Sequence, residues 1–149
     1  MSGPAEFHIR LAAPEERDEL EQLQRRASLA LDEYRTQLKA EPEAIQLPRR
    51  QIEMGQVIVA EMGNRPVGFV ALLMDEDLVE LDGLFVEPEH WRKGIGSSLV
   101  NVAVHEARKH GLAMTVIANP AAREFYEKCG FAVEGEAQTR FGPALRMSR

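Results

Sequence analysis

A chain of 149 residues with a net charge of −6 and a single cysteine has the size of one compact domain, residues 1–149, able to bury a real core. One cysteine excludes an intrachain disulfide, and the acidic balance argues against nucleic-acid binding, which needs a broad basic face. No apolar run approaches the roughly 20 residues that span a bilayer, and MSGPAEFHIR lacks the basic and apolar parts of a secretion signal, so a cytoplasmic chain with no membrane partner is expected.

In chain order, FHIRLAA (7–13) alternates as a strand does, and Pro14 marks a helix start. EERDELEQLQRRASLALDEYRTQL carries Leu20, Leu23, Ala27 and Leu31 at helical spacing, which predicts one long amphipathic helix. EPEAIQLPRRQIEMGQ, broken by Pro42 and Pro48, reads as a short helix or loop. VIVAEM (57–62) and PVGFVALLM (66–74) flank Gly63-Asn64-Arg65, a hairpin signal, and after a turn at DED comes a third strand, LVELDGLFV (78–86). A helix from about 94 to 110 ends at Gly111, LAMTVIA (112–118) is a buried strand, and Asn119-Pro120 opens a further helix. FAVEGEA and TRFGPALRM close the chain as strands. The strand–helix–strand unit from 78 to 118 should be a parallel crossover and the hairpins antiparallel, which predicts an α/β mixed sheet with helices on both faces.

The chemistry concentrates in HWRKGIGSSLV (90–100), a basic, glycine-rich stretch on an acidic chain, between a strand and a helix. Unpartnered N–H groups at a helix start, the helix dipole and glycines that admit close approach suit a phosphate, with Arg92 and Lys93 adding charge. Two phosphate-binding patterns fail: GxxxxGK[ST] is absent, and in a G-x-G-x-x-G reading Leu99 stands where the third glycine belongs.

LDGLFVEPEHWRKGIGSSLV resembles the pyrophosphate motif of the GNAT acyltransferase superfamily, Q/R-x-x-G-x-G/A, and ANPAAREFYEKCGF resembles its second motif. The likeness covers residues 57–136, with Trp91 where Gln or Arg is usual. It implies the GNAT acyl-CoA acyltransferase fold: a mostly antiparallel central sheet with one splayed parallel strand pair. It also implies acetyl-CoA as co-substrate, with no metal.

By this resemblance, Leu84, Phe85 and Val86 present backbone groups to the acetyl and pantetheine, and Trp91, Arg92, Lys93, Gly94, Ile95, Gly96 and Ser97 form the pyrophosphate loop. Asn119 meets the pantetheine arm, or is simply an N-cap. Tyr126 matches the tyrosine that protonates the leaving thiolate, though the same residue would serve as a core aromatic beside Phe125 and Phe131. Glu80 falls where some members carry their base; the other reading is a solvated or salt-bridged carboxylate paired with Asp82, two residues on and on the same sheet face. Gly83 fits either a bulge or relief of crowding. Acceptor-side candidates are Asp32, Tyr34 and Asp82, for a cationic amine. Cys129 reads as structural, and His90 is the histidine beside the loop.

The sequence reading is therefore a GNAT-type N-acetyltransferase acting directly, in a ternary complex, on a small-molecule or peptide amine. A homodimer through sheet edges is compatible with it. Its rivals are a non-catalytic acyl-CoA sensor and a same-fold enzyme for another acyl-CoA.

Overall fold

The computed structural model describes residues 6–149, apart from the side chains of Asp32, Glu33, Tyr34 and Gln37. β1 (His8–Leu11) leads through a single turn at Pro14–Glu16 into α1 (Arg17–Leu29), followed by α2 (Asp32–Ala40) and α3 (Arg49–Glu53). β2 (Val57–Met62), β3 (Arg65–Met74) and β4 (Leu78–Val86) run as consecutive antiparallel strands. α4 (Ile95–Lys109) crosses to β5 (Ala113–Ala118), and α5 (Arg123–Lys128) precedes the hairpin of β6 (Ala132–Thr139) and β7 (Gly142–Ser148). The strands form one seven-stranded sheet in the order β1-β2-β3-β4-β5-β7-β6. Its single parallel pair is β4 with β5.

The local reasons are plain. Gly63 and Asn64 both take positive φ, which is what a tight hairpin turn with the right twist requires. α4 buries Ile95, Leu99, Val100, Ala103, Val104 and Ala107, a stripe at helical spacing, against Ile58, Ala60, Val70, Leu72, Val79 and Leu81 of the sheet. The opposite face packs Val57, Val59, Phe69 and Ala71 under Leu20 and Leu23 of α1 and Ile52 of α3. Alternation along each strand thus feeds two cores, one per face.

Two expectations need correcting. The long helix predicted after Pro14 is two helices: its last turn tightens, with the Ala30 N–H on the Arg26 carbonyl and the Leu31 N–H on the Ser28 carbonyl. No glycine or proline marks the break, so residue propensity could not show it; Leu38 is the next buried leucine, on the redirected segment. The last strand also starts later than TRFGPALRM suggests, because Arg140 and Phe141 form the β6–β7 turn. Among the described residues no helix is long and apolar enough to cross a membrane.

α4 sits tightly on the sheet: a methyl placed on Gly68 of β3 would lie 3.3 Å from both Ile95 and Leu99. Leu99 is fully buried at that contact. Leu99→Ala is expected to cost about 2–5 kcal/mol, read from the urea midpoint. A loss under about 1 kcal/mol would mean that α4 is not seated as described.

Candidate active site

The site begins where the ladder fails. β3 and β4 slip register between Ala71 and Leu72, which face Gly83 and Leu81, so Asp82 is an extra residue on β4, a β-bulge. On its other edge β4 pairs with β5 only as far as Leu81 opposite Val116. Beyond that point β5 keeps its pairing to β7 at Ile117 and Ala118, while β4 runs on to Val86 paired only with β3. The strands part, and the β4 main chain from Asp82 to Val86 faces a gap with no neighbouring strand. Gly83 has its own steric reason: a Cβ there would come within 2.5 Å of the Phe85 ring, which lies across it and meets Phe69 at 5.3 Å.

The gap opens into a cleft of about 820 Å³. Its walls include Leu84, Phe85, Val86, Trp91, Arg92, Gly94, Ile95, Gly96, Ser97, Asn119, Tyr126 and Asp82, twelve of the residues singled out from sequence. Glu80 and Lys93 stand outside the wall. The side chains of Asp32 and Tyr34 lie outside the described residues, whereas their neighbours Ala27, Ser28 and Leu31, at the end of α1, do line the cleft. Of these, Leu31 falls in the stretch expected on the acceptor side, whereas Ala27 and Ser28 carry no signal in the sequence, since a helix stripe gives no sign of which of its members faces a cleft. Phe125 was seen only as a core aromatic, and Val116 to Ala118 only as a strand.

One end of the cleft carries a glycine-capped helix start with unpaired N–H donors, an arrangement able to hold an anion. Gly94 caps α4 with φ of +85°, the left-handed region that glycine enters freely. The first intrahelical bond is Ser98 N–H to the Gly94 carbonyl, 3.1 Å, so the N–H groups of Ile95, Gly96 and Ser97 precede the helical ladder. Gly96 is small for a second reason: a Cβ there would stand 3.3 Å from the Phe125 ring. Arg92 also has positive φ, +64°, a conformation that costs a side-chain-bearing residue about 1 kcal/mol, and it lies exposed on the wall.

Trp91, at the position where Gln or Arg is usual, points its polar atom back into the fold. Its indole N–H donates to the Val86 carbonyl at 2.7 Å and ties the loop back to the end of β4. Arg26 of α1 meets Glu87 at 2.8 Å just beyond, fixing the helix to the same corner. His90 lines the cleft with a buried Nδ1 that has no hydrogen-bond partner among the described residues.

Tyr126, on the helix whose Phe125 meets Gly96, is buried between the edges of Phe125 and Phe131, at 5.1 and 5.6 Å, and lines the cleft. The Asn119 side chain accepts from the Ala121 N–H at 2.7 Å, so it does cap the turn. Cys129 is buried, and burial pushes its thiol up against the opposing pull of Ser97 and Arg149, which leaves it a poor nucleophile. Glu80 is partly buried, and burial first, then the Asp82 charge, holds its carboxyl above the usual range.

A parallel strand pair that splays beside a glycine-capped helix is the arrangement of an acyl-CoA-dependent acyltransferase fold, and comparison with known proteins agrees. The acetyltransferase (GNAT) family matches residues 18–131, and the chain belongs to it. An uncharacterised N-acetyltransferase of Methanocaldococcus jannaschii is 33% identical over 84 residues, covering 49% of this chain and 37% of that one. The match thus spans little more than a third of that relative's length. Among solved structures, the PaiA N-acetyltransferase of Thermoplasma acidophilum, in complex with coenzyme A, superposes with a TM-score of 0.77 at 22% identity, covering 97% of this chain and 98% of that one. Naa50 of Arabidopsis thaliana, in complex with the bisubstrate analogue CoA-Ac-MVNAL, gives 0.75 at 16% identity over 96% and 97% of the two chains.

The raised Glu80 carboxyl has a consequence for stability. A carboxyl held above its unfolded value disfavours the charged native state, so the penalty is fully present above the folded pKa and vanishes as pH falls below the unfolded one. Glu80→Gln should therefore raise the Tm at pH 8, with the gain shrinking as pH drops through the carboxylate range. A gain independent of pH, or a loss at pH 8, would contradict this.

Proposed function

We propose that this chain transfers an acetyl group from acetyl-CoA to a primary amine. The observation that carries the reading is the continuous cleft, from the glycine-capped start of α4, past the open β4 backbone, to the Asp82 bulge. The donors present fit the group: backbone N–H groups of Ile95, Gly96 and Ser97 would hold the pyrophosphate, with Arg92 supplying charge, and Asn119 would meet the pantetheine arm. Bound there, acetyl-CoA supplies an activated thioester.

The chain's own groups supply the rest. On β4, whose Phe85 backbone pairs with β3, the N–H groups of Leu84 and Val86 face the side left open by β5 and orient the thioester carbonyl, whose oxygen gains negative charge during attack. A new C–N bond forms as the C–S bond breaks. The amine's proton passes to a base, and the departing thiolate takes a proton from the Tyr126 hydroxyl; a phenol with pKa near 10 can protonate a thiolate whose own is about 8.5. Glu80 stands outside the cleft wall, so its role as base runs through water, and its raised carboxyl brings it nearer to neutral pH.

At about 100 times its dissociation constant, acetyl-CoA should stabilise the protein by roughly 2.7 kcal/mol in thermal unfolding, with no shift from ATP or NAD. Tyr126→Phe should keep that shift and lower kcat, followed by thiol release, by about a hundredfold. Stabilisation without turnover for any amine would favour a sensor of acyl-CoA, and no stabilisation would remove the reading altogether. Turnover only with a longer acyl-CoA would move it to another donor.

A further inference from the structure

Gln51 is a buried polar residue that the proposed reaction leaves without a role. α3 carries it beneath the sheet, on the α1 face, where it is 5% exposed beside Ile52. An amide in such a place is costly unless it is bonded, at about 1–3 kcal/mol. Its Nε2 donates to the Leu72 carbonyl at 2.8 Å and stands 3.4 Å from Oδ2 of Asp82.

The first bond repairs a fault in the sheet. Just before β2 begins, the Leu72 N–H donates to the Gln56 carbonyl at 2.8 Å, as a ladder pair should. The return bond is missing, because the Gln56 N–H turns back to the Gln51 carbonyl at 3.0 Å. The Gln51 side chain fills that place on Leu72 and leaves its second N–H for Asp82. A bond demanded by the sheet thus fixes the position of a donor that reaches the bulge.

Asp82 is what that donor holds. It is the residue the bulge adds, it is exposed, and it lines the cleft. Among the described residues no lysine or arginine pairs with it. The same cleft is lined by the apolar side chains of Ala27, Leu31 and Phe85 together with the small polar Ser28, and Glu80 lies close enough to interact with Asp82 electrostatically. A lone carboxylate with a neutral donor behind it, apolar surface beside it and a further acid close by suits a cation with an apolar body.

We infer that Gln51 is a positioning residue that aims the Asp82 carboxylate into the cleft, and that Asp82 takes the ammonium head of a primary alkylamine whose body lies along Ala27, Leu31 and Phe85. The inference rests on the acetyltransferase reading above. It assigns the charge state of the acceptor and the side chains that select it.

The probes are 2-phenylethylamine, charged at neutral pH, and p-toluidine, an arylamine that is uncharged there, each with acetyl-CoA and thiol release as readout. The protein should prefer 2-phenylethylamine. Asp82→Asn should raise its KM by about tenfold or more while changing the KM for acetyl-CoA and for p-toluidine less than about twofold, and Asp82→Glu should restore part of the loss. Gln51→Met should raise the same KM, and adding it to Asp82→Asn should change little further, since both act on one contact. Gln51→Glu, of equal size but with no donor, serves if the Met variant does not fold. A lower Tm with an unchanged amine KM in the Gln51 variants would reduce the residue to a structural one and overturn the inference. Preference for p-toluidine, or an Asp82→Asn variant indistinguishable from the parent, would overturn it while leaving the transferase reading intact. Bound acetyl-CoA with no amine acetylated would remove both.

Discussion

Everything at the candidate site follows from one pairing that stops early. β4 and β5 are parallel neighbours to Leu81 and Val116 and then part. Parallel ladders are ordinarily continuous and buried on both faces, so ending one inside a sheet exposes backbone N–H and C=O groups that would otherwise be satisfied. The cause lies on the opposite edge of the same strand. Asp82, inserted by the bulge against β3, changes the course of β4, and Gly83 admits the Phe85 ring across it. β5, held by β7, keeps its own line. The result is a wedge whose walls are main chain, at the carboxyl ends of the two strands, where the crossover helix begins.

A wedge in a sheet would close or fray unless its walls were held separately, and the two cores do that. One face of the sheet packs α4 and the residues of α5, the other packs α1 and α3. Each helix fixes one lip of the cleft. The corner where they meet is cross-braced by side chains: the Trp91 indole on the Val86 carbonyl and Arg26 on Glu87. Neither brace is large in energy, since a partly exposed ion pair contributes about 0–1 kcal/mol. Their value is geometric, because they join the loop, the end of β4 and the end of α1 at the mouth.

The order of elements, the mixed sheet with its parallel crossover and the glycine-rich helix start were legible in the sequence for physical reasons. Alternation in VIVAEM and LVELDGLFV, the Gly63-Asn64 turn and the stripe of α4 are local patterns, and local patterns determine elements that lie between hairpin turns and helix caps. Gly94 was visible because a left-handed cap leaves little choice of residue. The break after α1 was not legible, since Ser28-Leu29-Ala30-Leu31 contains only helix-compatible residues and the turn comes from packing. The function of Trp91 was also hidden. At the position where Gln or Arg is usual it could be read only as a departure, whereas its partner is a carbonyl five residues back. Glu80 and Asp82 were placed on one face by simple alternation; the bulge between β3 and β4 separates their roles, leaving Asp82 on the cleft wall and Glu80 behind it.

The two halves of the cleft therefore differ in what they are made of. The loop end is main chain: helix-start N–H groups and an open strand, which many sequences can supply provided glycine caps the helix. That is why a tryptophan can stand where Gln or Arg is usual without dismantling the loop. Elsewhere the wall is made of side chains that the fold gathers from distant segments, Ala27 from α1, Leu31 from the turn after it, Asp82 and Phe85 from β4, with Gln51 of α3 reaching Asp82 from behind. No short motif encodes such a set, and each member can change without disturbing the sheet's order. The family resemblance is accordingly carried by short local motifs, while the acceptor site proposed above would draw on scattered residues that only the folded chain brings to one place.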